Sequence, residues 1–114
     1  MEFKLNRGFW RRKVKFTFDL AALKAATVAT RMDLGEFYTS EKLTDDDRLF
    51  FHAYGAWLNG RSVTIKTLKK FTRFWSRLSV KHLNQVKSFR AQSEIVSEHF
   101  LKAVKQTPGE KKNS

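Results

Sequence analysis

Histidine, aspartate, serine and cysteine are the residue types from which small proteins assemble catalytic and metal sites, so their spacing is the first test for chemistry. The three histidines are His52, His82 and His99. They fall in three different expected helices, and the HExxH spacing that sets two imidazoles on one helix face is absent. Each is expected to be a surface or half-buried side chain. Asp45, Asp46 and Asp47 are consecutive and follow Thr44. Calcium loops need oxygen ligands at alternating positions around a glycine. Three adjacent carboxylates after a threonine instead suit the first turn of a helix, at the positive end of its dipole. There is no Cys, which removes disulfides and thiolate metal sites and fits a reducing compartment. The five glycines are scattered, so no phosphate-cradling loop or Gly-x-Ser-x-Gly elbow is present. The sequence predicts a protein that is not an enzyme and holds no cofactor and no metal.

Binding chemistry is better represented. Residues 69–77 read KKFTRFWSR. Lys69, Lys70, Arg73 and Arg77 could neutralise phosphates while Phe71, Phe74 or Trp75 stacks on bases. Helical geometry offers a second use for the rings. Leu68, Phe71 and Trp75 are three and four residues apart and share a face, with Phe74 on its edge beside Phe71 and Leu78. The second use is favoured, leaving open whether Phe74 and Trp75 are core or exposed. The cations stay exposed in both cases and suit an acidic partner. Arg11-Arg12-Lys13 is a second, shorter basic patch, explained equally well as the charge-protected edge of a hairpin.

Net charge is +12, and its distribution is uneven. Residues 1–18 carry six Lys/Arg against one acid, residues 19–60 four against seven, residues 61–93 nine against none, and residues 94–114 four against three. The cations of 61–93 are expected to spread around the helices rather than along one recognition face.

The elements that would position these groups are mostly helical. At 114 residues the chain suits one domain. No apolar run approaches the roughly 20 residues that span a bilayer, and no leader pattern follows the basic N-terminus, so a soluble, intracellular protein with no membrane partner is expected. Residues 2–5 alternate weakly, Asn6-Arg7-Gly8 suits a turn, and residues 13–18, KVKFTF, alternate strictly. This predicts a hairpin over 2–18 whose inward face is Val14, Phe16 and Phe18. Asp19 is an expected N-cap for a helix with Leu20, Leu23, Ala26 and Thr27 at helical spacing. Asp33 and Glu36 have capping-box spacing, so this stretch is one bent helix or two. Thr44 starts a helix that stops at Asn59-Gly60, with Leu49 or Phe50, Ala53 and Trp57 on its buried face. Gly55 inside it predicts a close helix crossing. Thr64 caps a helix with Ile65, Leu68, Phe71 or Thr72, and Trp75 on one face. Ser79 is expected to cap a last helix over 80–105, with Val80, Leu83, Val86, Ile95, Val96, Phe100 and Val104 as apolar positions. Its middle, 87–94, is nearly all polar apart from Phe89 and Ala91, so the helix is expected to leave the domain or bend there. The expected fold class is mainly α: one small domain over 1–106 of four to five helices with an N-terminal β-hairpin, and a disordered tail over 107–114 after Pro108-Gly109.

The order of these signals resembles the tail assembly chaperones of long-tailed bacteriophages and prophages. The resemblance lies in Lys15-Phe16-Thr17-Phe18 running into Asp19-Leu20-Ala21-Ala22-Leu23, in Leu34-Gly35-Glu36-Phe37, in the aspartate-started helix with Phe51-His52-Ala53-Tyr54-Gly55-Ala56, and in Leu78-Ser79-Val80-Lys81-His82-Leu83. It covers roughly residues 3–90 and departs from the family in basicity. It implies a non-enzymatic protein of the bacterial host cytoplasm, absent from the mature virion. Its partners would be the tape measure protein, whose apolar helices it covers, and tail tube subunits. Under this reading the contact surfaces are the helix of Phe71 and Trp75 and the amphipathic last helix, through Ile95, Phe100 and Val104. The run of cations in 61–93 supports a second class, a small basic nucleic-acid-binding protein. A virion structural or connector protein is a third.

Overall fold

The computed structural model describes residues 2–7 and 10–105, with side chains over 15–102. Five helices dominate: α1 (Leu20–Thr30), α2 (Leu34–Thr39), α3 (Asp45–Leu58), α4 (Ile65–Lys81) and α5 (Leu83–Lys105). They are preceded by β1 (Glu2–Arg7) and β2 (Trp10–Lys15), whose backbones pair antiparallel from Glu2 opposite Lys15 to Arg7 opposite Trp10. β1 thus runs through Asn6 and Arg7, where a turn was expected, while Gly8 and the tail over 107–114 lie outside the described residues.

Four of the five helix starts have a side-chain cap. Asp19 accepts from the Ala22 N–H at 2.8 Å and Asp33 from the Glu36 N–H at 2.8 Å. Thr44 and Asp47 form a reciprocal capping box, as do Thr64 and Thr67. The stretch after Asp19 is two helices, because Arg31 closes α1 in the left-handed conformation, φ 58°. α3 ends the same way at Asn59, φ 52°, followed by Gly60 at φ 88°.

α3 is the central helix. The sequence pattern gives it one buried face, yet Leu49, His52, Ala53, Tyr54, Gly55, Ala56 and Leu58 are all buried. α1 lies across it, and Gly55 marks the crossing. A Cβ at position 55 would sit 2.1 Å from the Ala22 carbonyl oxygen, so only glycine permits this approach.

The expected strand over 13–18 stops early. Phe16, Thr17 and Phe18 leave β2, because the chain turns onto α3. The Thr17 N–H donates to the Ala56 carbonyl at 3.1 Å, supplying a partner to one of the last carbonyls of the helix. Phe16 thereby enters the helical core, where it is fully buried against Phe89, ring centroids 4.3 Å apart, and near Phe18, Phe71 and Phe74. A second cluster gathers Leu23, Ala26 and Phe37, with Leu34, Tyr38, Leu43, Phe51 and Val96 against it.

The C-terminal third differs most from expectation. Ser79 caps nothing: α4 continues through it to Lys81. The break falls at His82, whose N–H donates to the Leu78 carbonyl while its own carbonyl accepts from Gln85 and Val86, closing one helix and opening the next. Ile65, Val80, Leu83 and Ile95, expected in apolar faces, are exposed, Ile65 and Val80 at 76% and 83%. The polar middle of α5 does not depart: Lys87, Ser88, Ala91, Gln92 and Glu94 are exposed on one face, and the other face packs inward. Val86, Phe89 and Ser93 are buried at spacings of three and four, and Val96 and Phe100 continue the row half-buried.

Polar groups on that row explain how it packs. The Ser93 hydroxyl pairs with His52 Nδ1 at 2.7 Å, and the Ser97 hydroxyl with the Tyr38 hydroxyl at 2.7 Å. Both bonds tie α5 to the older core. Arg48 makes a third tie. Its guanidinium donates to the carbonyls of Phe37 at 2.8 Å and Ser40 at 2.9 Å, fastening the end of α2 to α3.

Candidate functional site

The acidic residues are consumed by structure. Asp47 completes the capping box, Asp45 pairs with Arg48, and Asp46 with Arg90 of α5. Among the described residues no group of three or more His, Cys, Asp or Glu could hold a metal. His82 sits at the α4–α5 junction and His99 is exposed on α5. His52 is buried, contrary to the expectation of a surface or half-buried ring. Burial pushes its pKa down from 6.5 to about 4, against the weaker pull of nearby Asp19. Nδ1 bonds Ser93, whereas Nε2 has no hydrogen-bond partner. Among the described residues no Asp or Glu side chain is hydrogen-bonded to this imidazole, whose side-chain partner is Ser93. It is a neutral core group.

The segment over 69–77 sits in the middle of α4, and the structure divides its residues cleanly. Phe71 is fully buried and touches Phe50, Tyr54, Trp57 and Trp75. Phe74 and Trp75 are half-buried; Phe74 stacks near Phe16, and Trp75 lies against Phe50 and Phe89. The rings are packing groups at the inner face. Lys69, Lys70, Arg73 and Arg77 are exposed.

The extended length of α4 changes the picture of charge. Lys66 and Lys81 join the same helix and are also exposed. At about 100° per residue, Lys66, Lys69, Lys70, Arg73, Arg77 and Lys81 fall within an arc of roughly 120°, with buried Phe71 and Leu78 roughly 120–140° from its centre. The cations of α4 thus form one stripe, which corrects the expectation that they spread around the helices. The stripe runs about 22 Å along the axis at 1.5 Å per residue. No acid occurs anywhere over 61–93, and none of the six cations is in an ion pair among the described residues.

The α5 candidates do not form one surface. Ile95 is 49% exposed, whereas Phe100 is half-buried and stacks on Tyr38 with centroids 5.8 Å apart. Five residues apart, they point roughly 140° from each other. The side chain of Val104 lies outside the described residues. Of the apolar groups that sequence reasoning assigned to packing and the structure leaves outside, Val80 and Leu83 lie together. They line an open depression at the α4–α5 junction with Lys81, His82, Asn84 and Gln85. The signal for them was the misplaced break: once the helix ends at His82, Val80 falls on the cationic side.

No helix among the described residues is long and apolar enough to cross a membrane. Comparison with protein-family profiles, with characterised proteins and with solved structures gives no match.

Proposed function

We propose that this protein is a tail assembly chaperone of a long-tailed bacteriophage or prophage. It works without catalysis in the host cytoplasm, binds the tape measure protein and aids tube assembly. The observation that carries the reading is the order of elements on the resembling residues: FTF running into the Asp19-capped α1, LGEF forming α2, and the aspartate-started α3 crossing α1 at Gly55. The N-terminal hairpin belongs to the same reading. Exposed Val80 and Leu83, bordered by Lys81, supply apolar surface with a charged border of the kind that covers an apolar helix reversibly.

Co-expression with a tape measure protein from the same genome tests the reading. The expected outcome is a complex that survives affinity purification and raises the soluble yield of the long chain. Val80→Glu with Leu83→Glu should abolish it, since a carboxylate pair cannot enter an apolar contact without a large desolvation cost. Purification of both chains separately, with no gain in solubility, refutes it.

A further inference from the structure

We infer that the cationic stripe of α4 is a sequence-independent docking surface for the sugar–phosphate backbone of duplex nucleic acid. This does not rest on the chaperone reading.

The stripe costs the helix stability. Lys66/Lys70, Lys69/Arg73, Arg73/Arg77 and Arg77/Lys81 are like-charged pairs four residues apart, each destabilising by a few tenths of a kcal/mol. No carboxylate among the described residues offsets them, although Asp46 is within reach of Arg90 on α5. Folding of the inner face does not need them, because Phe71 and Leu78 are buried away from the stripe. A feature that only repels itself within the fold is relieved by a partner of opposite charge.

The density of the stripe suits that partner. Six cations over about 22 Å is one per roughly 4 Å. A phosphodiester strand presents one negative charge per about 3.4 Å of helix axis, continuously. An acidic helix with carboxylates over a similar arc matches that density as well, and polyglutamate distinguishes the two. The rings decide between duplex and single strand. Single-strand platforms need exposed aromatic faces on which bases stack. Here Phe71 is buried, and Phe74 and Trp75 pack against Phe16, Phe50 and Phe89. What the stripe presents is charge with exposed Val80 beside it, and charge reads a backbone and no base.

Fluorescence anisotropy of the full chain with a labelled duplex of about 20 base pairs, a scrambled duplex and one of the single strands, from about 50 to 200 mM salt, tests this. Binding should be independent of duplex sequence and stronger to duplex than to single strand. The slope of log K against log salt should reach at most about −5, the value for six phosphates. Lys69→Gln with Arg73→Gln should reduce the slope by about 2 and weaken binding roughly 100-fold near 50 mM salt, with unchanged helical circular dichroism. Lys24→Gln with Lys42→Gln, both exposed outside the stripe, should change neither by a comparable amount. No binding near 50 mM salt overturns the inference. So do equal losses from the two double variants, preference for single strand, or stripe-dependent binding of polyglutamate but not of duplex, which would assign the surface to an acidic polypeptide.

Discussion

Neutral His52 makes the fold acid-sensitive in a window set by one side chain. The ring is 1% exposed, its pKa is lowered from 6.5 to about 4, and burial is the main cause. Above about pH 6.5 the imidazole is neutral in both folded and unfolded chains and contributes no pH dependence. Between about pH 6.5 and 4 the unfolded chain binds a proton at residue 52 that the folded chain excludes, so stability falls as pH drops. The loss is about 2 kcal/mol at pH 5 and saturates near 3 kcal/mol below pH 4. The perturbation is His52→Leu with Ser93→Ala, which removes both halves of the 2.7 Å hydrogen bond and leaves neither partner orphaned. Urea unfolding at about pH 7.5, 6 and 5 gives the free energies, provided the slope m is constant across the series. The native protein should lose about 2 kcal/mol more than the double variant between pH 7.5 and 5. Repulsion within the +12 chain grows in both proteins and cancels in the difference. Parallel losses in the two proteins would refute the assignment of a neutral, excluded proton to His52.

Gly55→Ala should destabilise by about 1–3 kcal/mol despite alanine's better helix propensity, because its Cβ meets the Ala22 backbone at 2.1 Å; thermal and urea denaturation measure it, and a gain in stability would refute the close crossing. Phe16→Ala should cost about 3–5 kcal/mol, far more than an extended-strand residue facing solvent, by the same assays. Arg48→Ala should speed hydrogen exchange of the Phe37 and Ser40 amides more than that of amides in α4, since it frees the carbonyls that hold α2 to α3. Arg48→Lys should recover less than half of the protection, because one ammonium cannot reproduce the planar fork.

The legible parts of this sequence are those decided locally. Asp19, Asp33, Thr44 and Thr64 cap helices through bonds that close within three residues, so residue type and position suffice. Gly55 was legible for a related reason: a glycine inside a good helix needs a cause, and a crossing backbone is one. The parts that failed depend on partners distant in sequence. Ser93 and Ser97 look like solvent-facing residues until His52 and Tyr38, 41 and 59 residues away, are brought opposite them. A search for apolar residues alone therefore discards the polar half of α5's inner row and reads a packed helix as a departing one. Phe18 and Phe16 kept the alternation of a strand, but the Ala56 carbonyl, unsatisfied at the end of α3, took the Thr17 N–H instead of a strand partner.

The same dependence shortened the candidate surface. Ending the helix at Ser79 separates Lys81 from Lys66, Lys69, Lys70, Arg73 and Arg77, which share one expected helix. Continuing it to Lys81 puts a sixth charge in the same phase, and the full stripe follows from helical geometry alone. The continuation is itself set by packing: Leu78 is buried on α4, and Trp75 of α4 lies against Phe89 of α5 with ring centroids 6.3 Å apart, so the chain folds back between them, and His82 is where backbone bonds from both helices converge. Charge pattern, helix length and core packing are therefore one determination here.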